Sequence, residues 1–192
     1  KAAKASVGIK EGLIAAENEL HILLEEYELL MKQHQNTMNL IEKLTMQIPG
    51  VKEILKIKGV GLKTLSGFIA EVGDIERFDH PKKVQKLAGL NLKENSSGKH
   101  KGQTTITKRG RKRLRSILFS TIMPIVAKNK EFQQLHKYYT TRKENPLKKK
   151  QSLIVLCCKL IRVFFVILKT GVKYDPVKMM NDIKRPTLQE VA

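Results

Sequence analysis

A seven-residue apolar repeat near the start of the chain constrains its fold more than any other feature. From Ser6 onward apolar residues recur with this period, and only His34 and Thr37 interrupt them. The repeating residues are Ile9, Leu13, Ala16, Leu20, Leu23, Tyr27, Leu30, Ile41, Leu44 and Ile48. Such a repeat is typical of a helix that pairs with another helix along an apolar seam. The sequence therefore predicts a coiled coil over residues 1–48, which pairs with other copies as a dimer or tetramer or with the chain's own folded part.

Positive charge is concentrated after this segment. The chain has 37 Lys and Arg against 18 Asp and Glu, a formal net charge of +19. Residues 1–48 are nearly neutral, with five basic and seven acidic residues, whereas residues 82–150 hold twenty basic residues and only Glu94, Glu131 and Glu144. A merely solvated surface would intersperse the two signs. The distribution predicts a nucleic-acid-binding surface chiefly within residues 82–150.

The adjacent cysteines, Cys157 and Cys158, lie in an apolar run over residues 152–168. Their spacing fits neither a disulfide framework nor a metal-binding pair, so we expect a reducing, cytoplasmic location. The run is interrupted by Lys159 and Arg162 and is shorter than the roughly 20 residues that cross a membrane. It therefore predicts a core helix, with no membrane as partner.

A helix-hairpin-helix is predicted directly after Pro49-Gly50, which ends the long helix. The apolar spacing indicates a helix, a Gly-Val-Gly turn and a second helix, through Ile54, Leu55, Ile57, Gly59, Val60, Gly61, Leu65 and Ile69. The glycines let the backbone approach a phosphate, and the second helix presents free N–H groups at its N-terminus. Such a hairpin holds DNA by its backbone, although a plain helix turn has the same pattern. We assign Gly59, Gly61 and Lys63 to nucleic-acid binding.

The region around residue 100 is predicted to connect two helices. A short helix spans about residues 82–88, and the polar residues 91–105 form a loop, with at most a small hairpin near residues 104–107. The next helix begins near Thr107 as N-cap and is kinked by Pro124. Its first turns carry Lys108, Arg109, Arg111, Lys112, Arg113 and Arg115. These cations oppose the helix dipole, a conflict that bound phosphate would relieve.

The end of the chain completes an all-α fold. Asn145-Pro146 predicts the start of a last long helix, which ends at Gly171. We expect three parts, namely the long coiled-coil helix, a small helical domain over residues 49–175 with the helix-hairpin-helix, and a loosely held tail over residues 176–192.

Seven short motifs follow one another in an order that resembles one protein family. They are Gly59-Val60-Gly61, Glu71-Val72-Gly73-Asp74, Arg77-Phe78, Leu87-Ala88-Gly89-Leu90, Ser97-Gly98, Ile106-Thr107-Lys108-Arg109-Gly110 and Leu114-Arg115. Together they are similar to the C-terminal transposase domain of the DEDD-type insertion-sequence transposases, the IS-one-hundred-and-ten group of bridge-RNA-guided recombinases. The match is dense over residues 48–120, and Lys159-Leu160-x-Arg162 with Tyr174-Asp175-Pro176 extends it to nearly the whole chain.

The resemblance implies a catalytic serine. In that family a RuvC-like domain with four metal-binding carboxylates precedes the coiled coil, and a serine of the C-terminal domain is the nucleophile. By that resemblance Ser97 attacks a DNA phosphodiester and holds one strand end as a phosphoserine ester, with Ser96 as the alternate. The start at Lys1 without Met fits a missing upstream domain, where Mg²⁺ is expected, and no metal site or cofactor is assigned to this chain. The family usually has Pro where this chain has Leu92, so the loop's approach differs.

The resemblance also implies DNA and a structured guide RNA as partners. Positive charge around the serine, from Lys99, His100, Lys101, Lys108 and Arg109, would stabilise a pentavalent phosphate. His100 is a weaker candidate for a base. The full nucleic-acid-binding assignment is Gly59, Gly61, Lys63, Lys99, Lys101, Lys108, Arg109, Arg111, Lys112, Arg113 and Arg115. The alternative function is a non-catalytic helix-hairpin-helix module that binds DNA or RNA.

Overall fold

The computed structural model describes residues 12–93, 96–97, 100–101 and 104–181, and the chain divides into two compact units, residues 1–43 and 44–192. The described part of the first unit belongs to one 33-residue helix, α1 (Leu13–Thr45). This confirms the predicted long N-terminal helix. Its seam side chains are at least half exposed at Leu13, Leu20, Leu23, Tyr27, Leu30 and Leu44. Ser6 and Ile9 lie outside the described residues.

The second unit, from Leu44 onward, is built from helices, which confirms the all-α class. Its helices are α2 (Val51–Leu55), α3 (Leu62–Val72), α4 (Pro81–Leu87), α5 (Lys112–Lys128), α6 (Lys130–Thr141), α7 (Lys149–Thr170) and α8 (Pro176–Asn181). Four two-residue strands between α4 and α5 are the only β-structure in the described part of the chain.

Helix α7 lies at the centre of the second unit. It packs against α2, α4, α5 and α6, and Phe164 meets Phe68 of α3 edge to face, with ring centroids 5.1 Å apart. Among the described residues α7 is also the one helix long and apolar enough to cross a membrane. Ten of its side chains are buried within the folded unit, including Leu156 and Leu160. This burial accounts for its apolar composition as a core helix.

Helix α5 begins at Lys112, so the prediction of a start near Thr107 was wrong. The Thr107 hydroxyl instead donates to the Gly89 carbonyl oxygen, 3.3 Å away. Lys108 has a φ of 55° and Gly110 a φ of 150°, and neither conformation is helical. Residues 107–111 instead run back along the end of α4 before α5 begins. The predicted N-cap at Thr107 rested on local sequence alone, which contains no information about this contact.

The C-terminal elements differ from the prediction in three places. Helix α7 begins at Lys149, and Asn145, the predicted N-cap, has a φ of 48° outside the helix. Helix α6 was not predicted, although the Asn129 side chain caps it by accepting a hydrogen bond from the Phe132 N–H, 3.1 Å away. Helix α8 covers the first residues of the supposed tail, because Met179 is buried in the core.

Candidate nucleic-acid interface and serine ladder

The serine assigned as nucleophile lies in a ladder of short antiparallel strands. Strand β1 (Leu92–Lys93) pairs with β4 (Thr105–Ile106), and β2 (Ser96–Ser97) pairs with β3 (His100–Lys101). We call these four strands the serine ladder. The predicted loop is therefore partly ordered as β-structure, and the partner of residues 105–106 is β1 rather than a local hairpin strand. Strands of two residues are too short to show apolar alternation, so no sequence pattern predicts them.

Within the serine ladder, the backbone places the two candidate nucleophiles in register with basic residues of the paired strand. Ser97 is in register with His100, and Ser96 is in register with Lys101. Lys99 lies outside the described residues. The backbone thus brings three of the predicted site residues together: both serines and Lys101. It also brings His100, the weaker candidate for a base, opposite Ser97.

Backbone hydrogen bonds fix the base of the serine ladder between α4 and α5. The N–H of Thr107 donates to the Asn91 carbonyl oxygen at 2.7 Å, and the N–H of Lys108 donates to the Gly89 carbonyl oxygen at 3.0 Å. One step further, the N–H of Arg111 donates to the Leu87 carbonyl oxygen at 2.7 Å. These bonds tie the backbone of residues 107–111 to the end of α4.

The predicted cations next to this base fall into two groups. Arg115 is half-buried, and its guanidinium donates to the carbonyl oxygens of Ala88 at 3.0 Å and Lys108 at 3.3 Å. Arg111 donates to the Glu71 carbonyl oxygen at 2.6 Å and lies 3.7 Å from the Glu71 carboxylate. Both side chains thus hold the fold together. The first turn of α5 contains no acidic residue.

The remaining cations of this segment are open to solvent. Lys108, Arg109 and Lys112 are exposed, and the Arg113 side chain is 83% exposed, 3.6 Å from the Glu71 carboxylate. An ion pair this exposed contributes little to stability. These four exposed cations, Lys108, Arg109, Lys112 and Arg113, lie within six residues of the sequence, and we call them together the basic face. Their charge remains available to a polyanion.

The two glycines of the Gly-Val-Gly turn have different environments. A Cβ on Gly59, whose φ is 98°, would lie 2.7 Å from the Ile125 Cα, so this glycine is required by packing against α5. Gly61 is the N-cap of α3, and a Cβ there would meet no atom within 4 Å. Lys63, in the first turn of α3, is exposed. Only Gly61 and Lys63 therefore border open space that a phosphate can enter.

The described residues offer no metal-binding cluster and no reactive thiol. Among them, no three His, Cys, Asp or Glu side chains lie close enough to hold a metal ion. Burial raises the pKa of Cys157, and it raises the pKa of Cys158 to about 11 against the opposing effect of Arg162. Because the thiolate is the reactive form, neither cysteine is a nucleophile at neutral pH.

Comparison with known protein families matches residues 43–139 to the family described as Transposase IS116/IS110/IS902. This range makes up half of the chain. It contains α2 to α5, the serine ladder, the basic face and most of α6. No curated protein matches the chain.

Proposed function

This chain belongs to the IS116/IS110/IS902 transposase family, and from that premise we propose that it binds DNA. We further propose that it supplies Ser97 as the nucleophile of strand cleavage and transfer. One observation carries this proposal: Lys108, Arg109 and Lys112 are exposed at the start of α5, whose first turn holds no acidic residue, and this segment follows the strands that carry the serines in the sequence. The family match covers all of these elements.

The charge pattern at the start of α5 supports binding of a polyanion. Cations in the first turn of a helix oppose its dipole and cost stability. Phosphate groups offset this cost, because they place negative charge beside the basic face and beside the helix N-terminus. Gly61 and Lys63 supply a second point of contact, where the N-terminus of α3 has no side-chain cap and opens onto free space. Contacts of this kind hold the DNA backbone without reading its sequence.

The proposed reaction keeps the energy of the phosphodiester bond. The Ser97 Oγ forms a bond to phosphorus, the bond from phosphorus to a sugar oxygen breaks, and that oxygen leaves with a proton. A hydroxyl of a second strand then attacks the phosphoserine ester and releases the serine, so no ATP is required. Positive charge from Lys108 and Arg109 stabilises the pentavalent phosphate between these states.

Mg²⁺ has no assigned role in these steps. The resemblance to bridge-RNA-guided recombinases implies this ion, but the described residues contain no cluster of three ligating side chains. The residues described in this chain do not fit a metal centre of their own. By the resemblance, Mg²⁺ is instead expected in the upstream RuvC-like domain, where it would activate the serine hydroxyl and orient the phosphate.

Further partners follow from the same proposal. A structured guide RNA presents the same phosphate backbone as DNA and would bind the basic face. Self-association would bury the exposed apolar side chains of α1, as a dimer or tetramer. We place this activity in the cytoplasm, where DNA and guide RNA are both accessible.

The decisive test replaces each serine in a complete transposase that carries this chain. Ser97→Ala should abolish strand transfer and the covalent protein–DNA adduct, while DNA affinity and thermal stability stay nearly unchanged, since a loop hydroxyl contributes little to stability. Ser96→Ala is the matched control and should retain the adduct. Labelled DNA on a denaturing gel reports the adduct directly.

Two results would overturn parts of this proposal. Normal recombination by Ser97→Ala with loss of activity in Ser96→Ala would move the nucleophile by one residue. Normal recombination by both variants would leave the non-catalytic binding module as the function.

A further inference from the structure

A shallow groove next to the basic face carries further cations on α4. It lies between α4 and residues 109–111 and encloses about 490 Å³. We call it the α4 groove. Its described lining residues include four cations and no Asp or Glu, the cations being Lys83, Lys86, Arg109 and Arg111. Because Arg109 belongs to both features, the α4 groove continues the basic face onto α4.

Backbone contacts fix the two walls of the α4 groove. The N–H of Arg111 donates to the Leu87 carbonyl oxygen at 2.7 Å. Gly110 permits this close approach, because a Cβ there would collide with the same oxygen. Lys86 directly precedes Leu87, and Arg109 directly precedes Gly110, so each cation is next in the sequence to a residue of this contact. The fold therefore holds Lys86 and Arg109 on the two walls without a ligand.

Two of the four cations already have partners. Lys83 lies 2.8 Å from the Asp79 carboxylate, and Arg111 is held by the carbonyl oxygen and the carboxylate of Glu71. Lys86 and Arg109 are both exposed. Within the described part of the chain, no side-chain hydrogen bond or ion pair involves either of them. These two cations therefore remain available to a ligand in the groove.

The arrangement of these two charges favours a phosphate group. Like charges on neighbouring walls repel each other, and an anion between them offsets that repulsion. A phosphate group has several acceptor oxygens, so it can accept from an ammonium and from a guanidinium at the same time. In a nucleic acid the phosphates follow one another along the strand. A strand whose phosphates contact the basic face therefore has further phosphates available for the adjoining groove.

We infer that the α4 groove binds a backbone phosphate of the DNA between Lys86 and Arg109. The DNA-binding surface then extends from the start of α5 onto α4. This inference rests on the proposed function and adds a phosphate site to it. The site does not involve the chemistry of Ser97.

Three matched variants of the 192-residue chain test the contribution of Lys86. Lys86→Met keeps the length of the side chain but removes its charge, and Lys86→Arg keeps the charge. Lys137→Met removes the same charge from an exposed position on α6. Binding is measured by fluorescence anisotropy at several salt concentrations, with a duplex of about two helical turns, or about 20 base pairs.

The loss of one phosphate contact should appear in the salt dependence. Lys86→Met should weaken binding several-fold and reduce the slope of log affinity against log salt by about 1. Lys86→Arg and Lys137→Met should keep the slope of the wild-type chain. Because Lys86 lies in the last turn of α4, its charge also interacts favourably with the helix dipole. Thermal unfolding of each variant is therefore measured as well, and a partly unfolded variant would lose the same factor in affinity at every salt concentration.

A double variant tests whether the two cations share one phosphate. The effect of Lys86→Met combined with Arg109→Ala should differ from the product of the two single effects, because residues that contact one partner are coupled. Lys137→Met combined with Arg109→Ala is the control, and its effects should multiply.

Three outcomes would contradict the inference. If Lys86→Met kept the wild-type slope while Arg109→Ala lowered it, the α4 groove would bind no phosphate and the proposed function would stand. An equal reduction of the slope in Lys137→Met, or multiplicative effects of Lys86→Met and Arg109→Ala, would exclude a phosphate shared in the groove. Absence of duplex binding by the wild-type chain would overturn the proposed function and this inference together.

Discussion

Replacing each glycine of the Gly-Val-Gly turn by alanine should separate a packing role from a binding role. At Gly59 an added Cβ would lie 2.7 Å from the Ile125 Cα and 2.9 Å from the Pro124 carbonyl oxygen. Both neighbours are backbone atoms of α5, which cannot move aside without shifting the helix. At Gly61, two residues away, the same Cβ enters open space, and the φ of −106° is ordinary for alanine. The two substitutions are therefore matched in chemistry and in sequence context.

The expected effects differ by several kcal/mol. A φ of 98° costs an alanine about 1–2 kcal/mol, and overpacking costs about 1–3 kcal/mol more. The reduced entropy of the unfolded chain returns about 0.4–1 kcal/mol, so Gly59→Ala should lower the free energy of unfolding by about 2–4 kcal/mol. For Gly61→Ala that same entropic gain opposes the modest loss of a good N-cap, and the net change should stay within about 1 kcal/mol.

Thermal unfolding followed by circular dichroism measures this difference. At about 2–4 °C for each kcal/mol, Gly59→Ala should lower the Tm by about 4–16 °C, and Gly61→Ala should shift it by less than about 4 °C. Gly61→Ala should instead weaken DNA binding, because its methyl group occupies the space through which a phosphate approaches α3. Equal melting temperatures for the two variants would refute the packing assignment of Gly59.

Four further predictions follow from the structure. Arg115→Ala should lower the free energy of unfolding by about 1.5–3 kcal/mol, because it removes charge-assisted hydrogen bonds to Ala88 and Lys108. Arg113→Ala should leave stability unchanged. Together with Arg109→Ala it should reduce the slope of log affinity against log salt by about 1–2, and an unchanged slope would locate the DNA surface elsewhere. The 192-residue chain should sediment as a dimer or tetramer and a chain beginning at Gln47 as a monomer, since the exposed seam of α1 would be lost; equal monomer masses would contradict the pairing. The free energy of unfolding should fall as the pH rises from about 9 to about 11, because the thiols of the unfolded chain ionise there while burial raises the pKa of Cys158 to about 11. Urea titrations of a Cys157→Ala, Cys158→Ala variant should show a smaller fall. An equal fall would exclude the cysteines as the cause.

Local pattern determined the main helices. Apolar periodicity predicted α1 and α7, because one face of a helix is formed by residues three or four positions apart in the sequence. Gly171, with a φ of 67°, ends α7 where it was predicted. The N-caps predicted at Thr107 and Asn145 were wrong, because nonlocal contacts decide where these two helices begin. In each case contacts outside the local capping motif set the path of the chain. Residues 107–108 are hydrogen-bonded to the end of α4. The stretch after Asn145 is held by Tyr139, whose carbonyl oxygen accepts a hydrogen bond from the Leu147 N–H.

The candidate site shows the same division. The sequence by itself determined the helical class, the near-neutral first segment and the concentration of charge near the serines, since composition and spacing do not depend on packing. Only the tertiary structure decided which cations stay free. It buried Arg115 against Ala88, 27 residues away in the sequence, and it packed Gly59 against Ile125. It also brought Lys86 to the same groove as Arg109, because that groove forms only where residues 109–111 lie against the end of α4.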